Sequence, residues 1–486
     1  MDSKLLILVL FTFLFGCDVR FTGYSEDINS SNAYTDTGYM DTGTYDTVQC
    51  EEYRCGSFLE VKEDIYMDRD NGNLYMLEYS TDKMIFSKYD KDGVILWNKE
   101  MVSIGECLRL EYVDKDESFY ISQDKKDCIP KLGCSCAYKH ILYKYKKSGN
   151  GYEETFKIAL PRPDLGDRIS SIALDEDGNL YVIGNFVADV DFGGGKVLVN
   201  REDCKLTGNP NAPVECFTDV FVVKYDRDGN ILWAKGIGGK GDEGSESIYI
   251  SNEGLILSVY ADSEDIYIDE NKMTMKDGDV MIVKLDKNGV YKWSKIMAER
   301  SGVTGGAGLG GTDREGNIYI YGYFDLPSNY SEADKNKGLI IAKYDKNGKF
   351  IWGRKFAGRT VEPGYKLDEP WVYSVYIDNG SNIYILGIFT IESINDYSDY
   401  KIYEFLSKYN TQGFLLSSRD IYTGFNSVEK ISGVRNGDIF LVLYFRNNSL
   451  LLIDNCYIDD ISEDLSYKYY LLKFTPEGCS SVEAYK

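Results

Sequence analysis

One spacing occurs four times in this chain. Asp-x-x-Gly-x-x-x-Trp appears at Asp90/Gly93/Trp97, Asp226/Gly229/Trp233, Asp286/Gly289/Trp293 and Asp345/Gly348/Trp352. A lysine stands two residues before each Asp, at Lys88, Lys224, Lys284 and Lys343. Weaker copies surround Lys144, Lys408 and Lys473, so seven lysines follow one another at gaps between 56 and 80 residues. Self-similarity at such a period means that one supersecondary unit is stacked many times, which excludes an ordinary globular core.

The unit reads as β-structure. The third copy runs SIALDEDG, NLYVIGNF, DVFVVKYDRDG and NILWAKGI, four short apolar or alternating runs rich in Val, Ile, Tyr and Phe. The joints DEDGN and DRDGN put Gly and Asn where a short hairpin needs positive φ. Nine prolines in 486 residues leave the runs largely uninterrupted. The expected architecture is all-β: a seven-bladed β-propeller of four-stranded antiparallel blades over residues 56–486, since radial repetition leaves only short protected edges. A β-helix fits less well, because hairpin turns demand antiparallel pairing.

The third copy resembles the bacterial seven-bladed β-propeller repeat of exported and surface proteins. The matching residues are Gly178, Asn179, Tyr181, Gly184 and Phe186, then Asp191 to Gly195, then Phe221, Lys224, Tyr225, Asp226, Gly229, Trp233 and Gly238-Gly239. The resemblance implies an architecture and no shared activity. A weaker similarity links the Asp-Gly-Trp portion to the tryptophan-docking repeat of quinoprotein dehydrogenases and of the propeller lipoprotein that assists outer-membrane protein assembly. Here the residue before Gly is Asp92, Asp228, Asn288 or Asn347 instead of Thr, and the spacing is one shorter.

The N-terminus carries Lys4, an apolar run from Leu5 to Phe15, and Leu14-Phe15-Gly16-Cys17. The run is too short to span a bilayer and reads as a signal-peptide core. The four-residue box resembles the bacterial lipoprotein cleavage site. Residues 1–16 are therefore expected to be a lipoprotein signal peptide, Cys17 the lipidated residue, and 17–55 a flexible tether poor in aliphatic side chains. The expected location is the bacterial cell envelope, anchored by lipid.

Export sets the reading of the other ten cysteines. Cys204 and Cys216 bracket an insertion and are the best disulfide candidates. Cys107, Cys128, Cys134 and Cys136 are expected to pair among themselves. Cys50 and Cys55 with Cys456 and Cys479 could link the first blade to the last, or Cys50 could pair with Cys55. Export favours a disulfide over a metal site at Cys134-x-Cys136.

Net charge is −24, from 78 acidic and 54 basic residues, which repels phosphate backbones and excludes nucleic acid as the expected partner. A monomer is expected, with a protein or glycan partner in the envelope. No cofactor is expected, although this charge leaves calcium open. Paired acids such as Asp226/Asp228 and Asp90/Asp92 fit turn chemistry better than an EF-hand-like calcium loop. Gly236-x-Gly238-x-x-Gly241 and Gly306-x-Gly308-x-x-Gly311 match a dinucleotide fingerprint only in letters, because no helix follows.

Long segments fall on one expected face of the ring: 125–139, 187–218, 325–337, 390–400 and 447–465, with the connections between blades. Binding is expected there, with Tyr330, Tyr397 and Tyr400 as candidate glycan contacts. The single histidine, His140, and the lack of a GxSxG turn argue against Ser–His or Cys–His catalysis. The expected function is a non-catalytic binding scaffold. An envelope assembly factor and a carboxylate-based glycan lyase or hydrolase are the alternatives. Replacing Cys17 with Ser is expected to move the protein from the detergent to the aqueous phase on partitioning; unchanged partitioning would refute the anchor.

Overall fold

The computed structural model describes most of residues 59–474. Residues 1–58 and 475–486 lie outside the described residues, as do 202–216, 299–306, 324–338 and 460–467 within the chain. The signal peptide, Cys17, the tether, and the pairs Cys50/Cys55 and Cys204/Cys216 therefore fall outside them.

Among the described residues seven antiparallel sheets have four or more strands, and no sheet closes on itself. The third is built as its sequence implies: Arg168–Leu174, Leu180–Phe186, Asp219–Tyr225 and Ile231–Gly238 form a meander in chain order. The two middle strands are buried on both faces, while the outer one is partly open. The four-stranded order repeats in the first sheet (Asp64–Met67 to Ile95–Val102), the second (Leu108–Val113 to Gly151–Ala159), the fourth (Glu243–Ser251 to Tyr291–Ala298) and the fifth (Ala307–Thr312 to Phe350–Lys355). The sixth (Trp371–Ile377 to Leu415–Tyr422) carries additional strands.

The last sheet departs from simple succession. Ser427–Arg435, Asp438–Phe445 and Lys468–Phe474 supply three strands, and Leu59–Val61 from the other end of the chain supplies the fourth. Leu59 lies opposite Leu471 and Val61 opposite Tyr469. Backbone pairing thus joins strands from the two ends of the chain.

Apolar clusters lie between successive sheets. Tyr181, Ile183, Val220 and Val222 of the third pack with Ile248, Leu255, Leu257 and Val283 of the fourth. Comparable clusters join the first sheet to the second, the second to the third, the fourth to the fifth and the fifth to the sixth. Sheet-on-sheet packing is thus the main source of buried apolar surface.

The repeated spacing marks these junctions. In three sheets the third-strand lysine sits between a tyrosine of the second strand and a tryptophan of the fourth: Tyr75, Lys88 and Trp97; Tyr181, Lys224 and Trp233; Tyr319, Lys343 and Trp352. The tryptophan reaches the next sheet. A Cβ on Gly289 would lie 2.9 Å from the Trp233 ring, one on Gly348 3.0 Å from Trp293, and one on Gly413 2.6 Å from Trp352. Phe156 does the same against Gly229. These glycines also have φ between +70° and +87°, as the turn requires.

Lysines complete the junction. Lys144 Nζ donates to the Arg227 carbonyl at 2.7 Å, Lys224 Nζ to the Lys287 carbonyl at 3.0 Å, and Lys284 Nζ to the Lys346 carbonyl at 2.9 Å. Each acceptor lies in the following sheet's turn. Trp233 Nε1 also donates to the Lys287 carbonyl, at 3.3 Å. The turn carboxylates are occupied locally: Asp226 Oδ1 accepts the N–H groups of Asp228 and Asn230.

Two expected loops are ordered strands. Segment 125–139 lies mostly within the paired strands Phe119–Ile129 and Gly133–Ser148, where Cys128 is opposite Cys134 in register. Tyr400, expected in a loop, begins the strand Tyr400–Tyr409, whereas Tyr330 and Tyr397 lie outside the described residues.

Gly289→Ala is expected to destabilise the protein by about 1–2 kcal/mol or more, because it forces a side chain into the left-handed region and against Trp233. Gly236→Ala is the control, since nothing lies within 4 Å of its added Cβ. Equal denaturation midpoints for the two variants would refute this account of the junction.

Candidate functional site

In sheets two to six the first strand breaks register with the second. The breaks fall between Leu110/Tyr112, Ile169/Ser171, Ser245/Ile248, Leu309/Gly311 and Val372/Ser374. A bulge turns the extra residue out of the ladder and re-aims it. The extra residues are Glu111, Ser170, Glu246 with Ser247, Gly310 and Tyr373.

Of these, Ser170, Glu246, Ser247 and Tyr373 line a cavity of about 610 Å³, whose other walls come from the first and second strands of sheets two to six. Its lining is polar: Arg109 and Asp124 from the second sheet, Arg168 and Ser170 from the third, and Ser245 to Ser247 from the fourth. Tyr249, Tyr321 and Tyr373 add aromatic surface. Arg168 pairs with Asn185 and Tyr321 with Gly308, near the strand ends that lead to the connections between sheets. The cavity therefore lies toward the face expected to carry binding; of the tyrosines singled out in the sequence, Tyr330 and Tyr397 lie outside the described residues.

Arg109 Nε donates to Asp124 Oδ2 at 3.1 Å. Asp124 is nearly buried, which favours a fixed carboxylate over a mobile surface pair. Ser245 Oγ donates to Asn185 Oδ1 at 2.7 Å, so in its 2.8 Å contact with Ser170 the latter is the donor. Glu246 is exposed to the cavity, yet burial of its surroundings raises its carboxyl above the usual range; a hydrogen bond from Ser258 and the charge of Arg168 oppose this only in part. Burial, with Glu246 and Tyr249 adding to it, also raises the Tyr321 hydroxyl.

A second polar cluster lies beside the cavity. Asp219, at the start of a third strand, and Glu243, at the start of the next sheet's first strand, are 4% and 0% exposed. Asp219 Oδ2 accepts the Arg201 N–H at 2.8 Å, and Glu243 Oε2 accepts the Gly239 N–H at 2.7 Å. A Cβ on Gly238 would lie 2.0 Å from Asp219 Oδ1, and one on Gly239 2.3 Å from Ser263 Oγ. The Gly238-Gly239 connection is thus wrapped tightly over two carboxyls, which gives the glycine-rich letters a steric reason. Burial pushes Asp219 up to about 6 and Glu243 up to about 7, and each carboxyl interacts with the other.

No group of three or more His, Cys, Asp or Glu is placed to hold a metal ion among the described residues. The bulged positions were not singled out from sequence. Register breaks leave no composition signal, although a polar residue within an otherwise apolar inner strand, such as Ser170 or Glu246, is a trace of one.

No family profile matches the chain. An uncharacterised WD repeat-containing protein of Acanthamoeba polyphaga mimivirus is 26% identical over 228 residues, covering 40% of this chain and 16% of that protein. The chain therefore spans only a small part of that relative's length. Together with the repeated sheets, this supports a β-propeller. The resemblance to the bacterial exported repeat family is not confirmed as membership.

Solved structures that resemble the chain include the polysaccharide lyase Uly1, at 10% identity and TM-score 0.42, covering 90% of this chain and 94% of that one. The NanB sialidase of Streptococcus pneumoniae has 10% identity, TM-score 0.32 and coverages of 85% and 93%. A Synechocystis apocarotenoid oxygenase has 10% identity, TM-score 0.31 and coverages of 89% and 91%. These neighbours are enzymes, which corrects the expectation of a chain without enzymatic activity: a single histidine and this kind of fold do not exclude catalysis. At these scores the likeness establishes no activity either.

The carboxyl pair makes stability depend on pH. In the unfolded chain both groups ionise near 4, whereas the folded protein keeps its protons until about 6 and 7. The folded state binds more protons across that interval, so stability falls as pH rises through it. The melting temperature of Glu243→Gln is expected to gain on that of the wild type between pH 5 and pH 8. A difference that stays constant with pH would refute the shared burial of protons.

Proposed function

We propose that this chain is a lipid-anchored, seven-bladed β-propeller of the bacterial cell envelope that binds a glycan in its central cavity. Seven sheets in chain order, each packed on its predecessor, support the ring. Its closure is supported by the pairing of Leu59–Val61 with Lys468–Phe474. The first strand of the last sheet also contacts those of the sixth and the first. The anchor rests on the Leu14-to-Cys17 box alone.

The cavity carries the functional reading. Its strands gather two guanidinium groups, two carboxyls, four serines and three tyrosines around one concave space. Sugars present hydroxyls that bond charged planar groups and ring faces that rest on aromatic surfaces, so this lining suits them better than a largely apolar ligand. Glu246 favours a second reading in which a bound glycan is also cleaved, because a carboxyl raised by burial suits proton donation.

Screening the purified protein against a glycan panel is expected to yield a ligand whose affinity drops at least tenfold in Tyr373→Ala and in Glu246→Gln, with folding intact. Binding unaffected by both variants would move the site elsewhere. Release of products from the same ligand, lost in Glu246→Gln, would establish the second reading.

A further inference from the structure

Two groups in the cavity have no counterpart among the described residues. The guanidinium of Arg168 makes no hydrogen bond or close ion pair with any described residue, and it senses Glu246 only through space. The hydroxyl oxygen of Ser247 is buried and has no hydrogen-bond partner. Both line the same cavity, Arg168 from the first strand of the third sheet and Ser247 from the bulge of the fourth. A buried hydroxyl left unsatisfied costs about 1–3 kcal/mol, so one facing a cavity points to something that enters it.

The chemistry of the missing partner follows from these groups. A guanidinium presents two parallel N–H donors that match the two oxygens of a carboxylate. The other guanidinium in the cavity, Arg109, is already engaged by Asp124, so Arg168 is the cation left to receive an anion. Glu246 feels the charge of Arg168 through space, while burial raises its carboxyl above the usual range. Ser247 can bond a neighbouring hydroxyl or ring oxygen, while Tyr321 and Tyr373 supply surfaces for a ring.

Resting on the glycan reading above, we infer that the cavity recognises a sugar bearing a carboxylate, a uronic acid, with the carboxylate on Arg168 and an adjacent oxygen on Ser247. The charge of the whole chain, −24, would repel an extended polyanion, which favours one acidic residue at a chain end over a long acidic stretch.

Calorimetry on the full chain with oligosaccharides ending in glucuronate, galacturonate or mannuronate tests this, with their methyl esters, neutral counterparts and 6-sulfated counterparts alongside. At least one acidic ligand is expected to bind ten times or more tighter than its ester and its neutral form. Arg168→Gln is expected to abolish that preference, bringing the acidic form down at least tenfold to the affinity of the neutral form, and Ser247→Ala to weaken both forms a few fold. Thermal melting confirms that the variants are folded. Equal binding of acidic and neutral forms, or tighter binding of the sulfated form, would overturn the uronate inference and leave the glycan reading standing. No binding by any member would overturn both.

Discussion

The contact between an aromatic ring on one sheet and a glycine turn on the next organises this protein. A single sheet of four short strands cannot bury its two faces, so each needs a neighbour at a fixed distance and angle. Trp233 against Gly289, Trp293 against Gly348 and Trp352 against Gly413 supply that fixed point at the same end of each sheet. The lysine beside the tryptophan adds direction, since its ammonium must find the next turn's carbonyl. Lys224 also lies over the Tyr181 ring at 4.9 Å, and Lys343 over Tyr319 at 5.0 Å. The charge of Lys224 is therefore held between a π-face and a carbonyl, and that of Lys343 between a π-face and the Asp313 carboxylate, rather than buried alone.

The same arrangement explains why the turn aspartates are hydrogen-bonding devices. Asp175 accepts the hydroxyl of Tyr181 at 3.0 Å, and Asp313 that of Tyr319 at 3.0 Å. Burial would raise these carboxyls, but hydrogen bonds from Asn179 and Asn317 and the nearby lysines outweigh it and hold both below the usual range. Rigid turns at one end free the opposite end for variation. That opposite end is where the inner strands bulge, where the connections differ in length, and where the cavity lies. The repeated junction and the cavity are thus separated along the strands.

Much of the fold was legible because the junction is local in sequence: Lys, Asp, Gly and Trp fall within ten residues, although the Gly and Trp of one copy touch different neighbours. The four runs of the third unit match its four strands. The role of Leu59–Val61 was not legible, since a three-residue apolar run carries no sign of a partner more than 400 residues away. Nor was the cavity. Arg109, Arg168, Glu246 and Tyr373 come from four different sheets, and only the ring-like stacking brings them together. Tyr330, Tyr397 and Tyr400 were chosen for lying in variable segments, whereas the cavity tyrosines belong to strands and resemble core residues in sequence.

The long segments between second and third strands also serve the scaffold, which loop length alone conceals. An outer strand with an unpaired edge invites pairing with another chain. The hairpin Asp265–Ile268 and Asn271–Thr274, inserted in the fourth unit, adds two strands to the third sheet through Ile237 opposite Ile268. The hairpin Leu450–Ile453 and Cys456–Asp459, from the seventh unit, does the same for the sixth through Ile421 opposite Ile453. In both cases an insertion covers the edge of the preceding sheet, and the buried Ile266 and Ile268 join the core there. An insertion can therefore grow for edge protection before any ligand is involved. Its length is no measure of binding, and the re-aimed side chains of the inner strands are the better guide to where a ligand sits.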